Sequence, residues 1–182
     1  MTLAPEIHGA VPIHSAPEVF LEKFRQRVSD GLLLGRPHRR SNYVVARAHA
    51  RELQVRAVGW LTAINVGLNE FDLDLPASGM ARYRVRYWRW ASYVLGLSAV
   101  LGVVGLVLLL AFDVRAYITH TPGAMIPGLS VDQNLMLLWA IVLFWGFVWP
   151  WLLVLLHKGP LRRLVTRLIT EIDGQAAPAA RQ

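Results

Sequence analysis

Two stretches of this chain, Trp90 to Phe112 and Leu135 to Leu156, carry no charged side chain. Each is roughly 22 residues, about 33 Å as a helix, which matches the thickness of a bilayer's hydrocarbon core. Buried helices of soluble proteins are rarely so long and so evenly apolar. The pair therefore predicts a hairpin of two transmembrane helices. The composition agrees, at 54% hydrophobic residues and a mean hydropathy of +0.38, with the excess concentrated in these two blocks.

The flanking charges predict an orientation. Arg82, Arg84, Arg86 and Arg89 precede the first stretch, and Lys158, Arg162, Arg163 and Arg167 follow the second. The connecting segment, Asp113 to Asn134, holds Arg115 against Asp113 and Asp132. Positive charge marks the cytoplasmic side, so both termini are expected inside and the connecting loop outside. The net charge of +7 is then read as topology and affinity for anionic lipid, and a nucleic-acid partner is disfavoured. Of the 19 basic residues 17 are Arg, a bias of GC-rich genomes, which points to a bacterial cytoplasmic (inner) membrane. The first 30 residues lack the basic start and apolar centre of a signal peptide, so the N-terminus is expected to be retained.

Within the first span, Ala91, Ser98, Gly102 and Gly105 fall near one helix face. Small residues there let another backbone approach, either the second span or another subunit. Tyr87, Trp88, Trp90 and Tyr93 are expected to form an aromatic belt, and Pro150 to kink the second span.

The remaining chain divides by period. Residues 1–35 form an N-terminal segment: 1–14 read as irregular, and about 16–30 as an amphipathic helix with Phe20, Phe24 and Val28 on its apolar face. Ser15 and Glu18 have capping-box spacing at its start. Residues 36–89 read as a cytoplasmic β module. Strands are expected over 42–48, 53–58, 71–75 and 80–87, with 59–69 open between strand and buried loop. A three-residue turn, Ala77 to Gly79, sets Asp74 opposite Arg82, Asp72 opposite Arg84, Leu73 opposite Tyr83 and Phe71 opposite Val85. One face becomes apolar and the other a ladder of charge. The spans follow at 90–112 and 135–156, around an external loop at 113–134. Gly159-Pro160 then breaks the chain, and a second amphipathic helix covers 159–173. Leu161, Leu164, Val165, Leu168, Ile169 and Ile172 form its stripe, which either covers the sheet or lies on the membrane. With the helix on the sheet, the membrane hairpin becomes an insertion in one small domain. Residues 174–182 read as a disordered tail. The fold class expected is an α+β membrane protein: a two-helix transmembrane hairpin with a small cytoplasmic antiparallel β module and flanking amphipathic helices.

Nothing in the pattern points to an enzyme. There is no cysteine, which removes disulfides and thiolate chemistry. No two of the histidines have the spacing of a helical metal pair, and no phosphate loop or nucleophile elbow is present. No catalytic, metal or cofactor-binding residue is assigned, and no cofactor is expected. The candidate contacts are Arg36, Arg39, Arg40, Arg162, Arg163 and Arg167 with anionic lipid, and Ala91, Ser98, Gly102 and Gly105 as the packing face. The partners expected are the lipid bilayer and a membrane-protein partner or a second copy of the chain. The function expected is a non-enzymatic scaffold or accessory subunit presenting the cytoplasmic module. A membrane-apposed lipid or amphiphile binder and an oligomeric channel or transport component are the alternatives.

Overall fold

The computed structural model describes residues 4–32, 42–121 and 123–176, apart from the side chains of residues 65 and 66. The chain forms two compact units: residues Met1–Ser92 with Leu156–Gln182, and residues Tyr93–Leu155. The fold is α+β, with a five-stranded antiparallel sheet and two helices long and apolar enough to cross a membrane.

The sheet unit begins with β1, Glu6–Pro12, where the sequence suggested irregular chain. The alternation Ile7, Gly9, Val11 is interrupted by a glycine at an inward position. The reason lies on the neighbouring strand: a Cβ on Gly9 would run into the ring of Tyr83, its cross-strand partner. The aromatic ring fills the space that a β1 side chain would have occupied. Next come α1, Pro17–Asp30, then β2, Tyr43–Ala48, and β3, Glu52–Ala57. Segment 59–69 contains neither strand nor plain loop but a seven-residue helix, α2, Trp60–Val66. Its Thr62, Ile64 and Val66 favour extended chain, yet the ends decide. Gly67 adopts the left-handed conformation at φ 70° and donates to the carbonyl of Ala63, and Ala63 anchors the helix inward, fully buried.

Strands β4, Glu70–Asp74, and β5, Met80–Arg86, follow as the expected hairpin. The register is the anticipated one: Asp74 faces Arg82, Asp72 faces Arg84, Leu73 faces Tyr83 and Phe71 faces Val85. Gly79 closes the turn at φ 67°. The sheet order is β1-β5-β4-β3-β2.

One sheet face is covered. Phe24 of α1 stacks on Phe71 at 5.4 Å between ring centroids, and Phe71 stacks in turn on Tyr83 at 6.4 Å. The C-terminal part of α6, Trp149–Ala176, belongs to the same unit, and its stripe of Leu161, Val165, Leu168, Ile169 and Ile172 is buried. The stripe is thus turned into the sheet unit. The break expected at Gly159-Pro160 does not occur, because α6 runs through Pro160. A proline inside a helix costs about 3 kcal/mol. Each of the five buried aliphatic side chains beyond it contributes roughly 1.5–3 kcal/mol on burial, so continuing the helix wins. The expected capping box at Ser15 is also absent. The N-cap is Ala16 with Pro17 after it, and no side chain caps it. Ser15 bonds elsewhere, as described below.

The helical unit holds most of α3, Trp88–Ala111, which starts two residues before the expected span. The connecting segment is not bare loop. It contains α4, Val114–His120, whose first turn is capped by the Asp113 carboxylate accepting from the Ala116 N–H at 2.9 Å. Next is α5, Val131–Leu143, opened by a Ser130–Gln133 capping box, four residues ahead of the expected start. Asn134 is buried there. Its amide donates to the carbonyls of Leu129 and Ser130 and accepts from the Ile126 N–H, tying the segment to the helix. Where Pro150 was expected to kink the helix, a π-helical turn, Phe144–Val148, stands just ahead of it, and the Trp149 N–H reaches back to Phe144. Proline brings no N–H to the ladder, and a widened turn is one way a helix accommodates the gap.

Candidate functional site: the open face of the sheet

The sheet's second face carries the even-numbered side chains of β1, β3, β4 and β5, in three rows across the strands. The first row is Glu6, Arg86, Glu70, Arg56; the second is His8, Arg84, Asp72, Gln54, Arg47; the third is Ala10, Arg82, Asp74, Glu52. Arg47 reaches the second row through a β-bulge. The register of β2 shifts between Val45 and Arg47, so Ala46 is the extra residue and Arg47, in place of Ala46, stands beside Gln54.

Apart from Arg47, the first two rows satisfy one another. Arg84 donates to Glu6 at 2.7 Å, Arg86 to Glu70 at 2.8 Å, and Gln54 to Asp72 at 2.8 Å. Arg56 pairs with Glu70 at 3.1 Å. Hydrogen bonding from Arg84, reinforced by His8, holds the Glu6 carboxyl below its ordinary pKa. The same pairing raises Arg84. The expected Asp–Arg ladder is therefore present in register, but Arg84 turns to Glu6 on β1 rather than to Asp72.

The third row differs. Arg82, Asp74 and Glu52, with Arg47 beside them, are exposed and form no ion pair among the described residues. They line a groove of about 770 Å³ together with His8, His49 and Tyr83. It is open and charge-alternating, with three arginines and three carboxylates (Arg47, Arg82, Arg84; Glu52, Asp72, Asp74). Such a surface fits a chain bearing both charges better than a single ion.

A serine, a histidine and an aspartate also meet, at Ser15, His14 and Asp173, but not as a relay. The Ser15 hydroxyl donates to Asp173 at 2.6 Å, as do the backbone N–H groups of His14 and Ser15 at 3.0–3.1 Å. His14 Nδ1 lies 3.1 Å from the same carboxylate. Serine and histidine both address the aspartate, so no base stands ready for the serine. The arrangement is a clasp from the end of α6 onto the chain entering α1. Burial disfavours the charge on Asp173, but the bonds from Ser15 and His14 outweigh it and hold the carboxyl below its usual range.

Other sequence candidates fall in separate places. Arg36, Arg39 and Arg40 lie outside the described residues. Arg162, Arg163 and Arg167 are exposed along α6, with Arg162 3.5 Å from the His8 carbonyl. Ala91 is buried in the sheet unit, whereas Ser98, Gly102 and Gly105 belong to the helical unit. There, a Cβ on Gly102 would fall 2.8 Å from the Cα of Gly146, and one on Gly105 would fall 2.9 Å from Val142. The aromatic belt divides: Trp88 and Tyr93 are exposed, but Tyr87 is buried and Trp90 stacks on His157 at 4.0 Å. Burial pushes the Tyr87 hydroxyl up to about 12. Among the described residues, no group of His, Asp and Glu gathers that could hold a metal ion.

Glu6, His8 and Arg47 were missed by sequence reasoning. The alternation of Glu6, His8 and Ala10 against Ile7 and Val11 was the available signal for the first two, masked by Gly9. A bulge has no signal in the β2 sequence, so Arg47 had none. No family model matches this chain, and neither a curated protein nor a solved structure matches it.

Proposed function

We propose that the chain crosses a bilayer twice, with both termini and the sheet unit on the cytoplasmic side. In this reading it serves as a non-enzymatic scaffold or accessory subunit that offers its open sheet face to a protein partner. The topology is supported by the arginines before α3 and the basic residues after the second apolar stretch, against a connecting segment whose Arg115 is paired to Asp132. The Arg-rich composition favours a bacterial inner membrane.

The observation that carries the function is the third row of the open face, with Arg47 beside it. A protein that needed only a stable sheet would gain nothing from leaving Arg47, Arg82, Glu52 and Asp74 without an ion pair among the described residues, around a groove. Unpaired charges of both signs suit recognition of a complementary charged surface, where they set register and specificity. Enclosure of an amphiphile between sheet and helices has less support, since Phe20, Phe24, Phe71 and Ile169 fill that space.

The test is affinity purification of the tagged chain in mild detergent, with mass spectrometry of what accompanies it. A stoichiometric protein is expected, and Arg82→Glu should weaken its recovery at least tenfold while lowering stability by no more than about 1 kcal/mol, the cost of a like charge opposite Asp74 on the neighbouring strand. A solitary monomer under gentle extraction, or a partner indifferent to Arg82→Glu and Asp74→Arg, would overturn the reading.

A further inference from the structure

The segment that joins β3 to β4 places large apolar side chains on the outside of the sheet unit. Val58 is 62% exposed, Trp60 48% and Leu61 74%, while Ala63 on the other side of α2 is buried. Trp88, the first residue of α3, is 41% exposed beside them. The two indoles meet edge to face, with centroids 6.2 Å apart and planes at 78°. The guanidinium carbon of Arg89 lies 5.3 Å from the Trp88 ring centre and 5.8 Å from that of Trp60. The Arg89 Nε is buried with no hydrogen-bond partner among the described residues.

This arrangement has no economical explanation for a surface in water. Two tryptophans, a leucine and a valine are left wet together, although a soluble unit normally disperses such groups. The composition is that of a membrane–water boundary. Indoles prefer that level because the ring is apolar and its N–H is polar, and arginine bridges it with an apolar stem and a charged head. The level is also fixed by the chain. Trp88 and Arg89 open the apolar helix α3, and Trp60 touches Trp88, so α2 stands within about one helical turn of where α3 begins. The segment has little freedom to move away. Its two ends are joined by the Ala57 N–H bonding to the Asn69 carbonyl at 2.9 Å, and Gly67 lies against the His157 ring.

We propose that α2 is an interfacial anchor. Val58, Trp60 and Leu61 enter the headgroup region of the bilayer beside the start of α3, and Arg89, held over both indoles, donates to a phospholipid phosphate. The two tryptophan faces orient the guanidinium, leaving its outer N–H groups for the planar two-point contact that phosphate accepts. The sheet unit would thereby be held against the membrane at two points, the entry of α3 and the side of α2. This inference rests on the two-span reading given above, and the continuity of the patch with α3 is what identifies lipid rather than protein as its cover.

The absence of native cysteine makes the test direct. The full chain is reconstituted in nanodiscs of phosphatidylcholine and phosphatidylglycerol with a single spin label at Leu61→Cys, Val103→Cys or Arg51→Cys. The relaxing effects of oxygen, which concentrates in lipid, and of a water-soluble nickel complex are then compared. The label at Val103 should read as hydrocarbon and that at Arg51 as water. The label at Leu61 should be at least fivefold less accessible to nickel than Arg51, and Trp60→Ala together with Arg89→Gln should move it toward the Arg51 value. A Leu61 label that reads like Arg51, while Val103 reads as hydrocarbon, overturns the anchor and leaves the two-span reading standing. A Val103 label that reads as water overturns both. Shielding of Leu61 in native membranes but not in nanodiscs also overturns the anchor, because a protein and not lipid then covers α2.

Discussion

At the scale of single residues, Asp173 shows how one carboxylate can join distant parts of the chain. It is 6% exposed and accepts from the hydroxyl and backbone of Ser15 and the backbone of His14, more than 150 residues away. Its folded pKa is depressed, so its stabilising effect is complete above the unfolded value of about 3.9 and lost as pH falls through the folded one. Asp173→Asn should destabilise the sheet unit by about 1–3 kcal/mol at pH 7, since the amide brings donors to a site that already supplies donors. Thermal unfolding in detergent at pH 7 and near pH 3 checks this. The gap between wild type and variant should shrink at the lower pH, and an unchanged gap would mean that the charge is not what matters. Ser15 shows a limit of sequence motifs: the spacing to Glu18 suits a cap, but a buried carboxylate from α6 is the stronger partner.

At the scale of elements, the decisive contacts are those that glycine permits. In the helical unit, Gly102 and Gly146 bring two backbones together, and Gly146 sits inside the π turn. Small residues allow close backbone packing, which drives association where burial from water cannot. Gly102→Leu should cost about 1–3 kcal/mol by overpacking. The exposed Gly96, with nothing within 4 Å of its added Cβ, should tolerate alanine with no measurable loss. Melting of both variants in the same detergent compares them, and equal losses would show that the Gly102 approach does not persist in solution. The β4–β5 hairpin was fully readable because two independent patterns, charge and apolarity, required the same register. Helix α2 was not, because a seven-residue helix rich in β-branched residues has no periodic signal to outweigh its strand propensity.

At the scale of the molecule, the sheet unit is assembled from both ends of the chain around an inserted helical unit. The stripe on α6 is therefore part of the core and not an appendage. Removing residues after Leu155 would strip away Leu161, Val165, Leu168, Ile169 and Ile172 and expose the apolar face of the sheet. The truncated chain should lose protease resistance over residues 4–32 and 42–92, including Phe24 and Phe71, which the deletion does not touch. Retention of resistance over those residues would show that α1 alone suffices as a cover.

The sequence by itself determined the two long apolar helices, the β4–β5 register and the amphipathic stripes, because each is a local period repeated often enough to exclude the alternatives. It also determined the asymmetry of flanking charge on which the topology proposal rests. Only the tertiary structure decided that Glu6–Pro12 is a strand, that α6 passes through Pro160, that a bulge delivers Arg47 to the open face, and that Trp60 meets Trp88 and Arg89. Each of these depends on a partner outside the segment itself. The Tyr83 ring over Gly9, the buried stripe beyond Pro160 and the opposing strand at Val45 set local preferences aside, and energies of a few kcal/mol per contact were enough to do so.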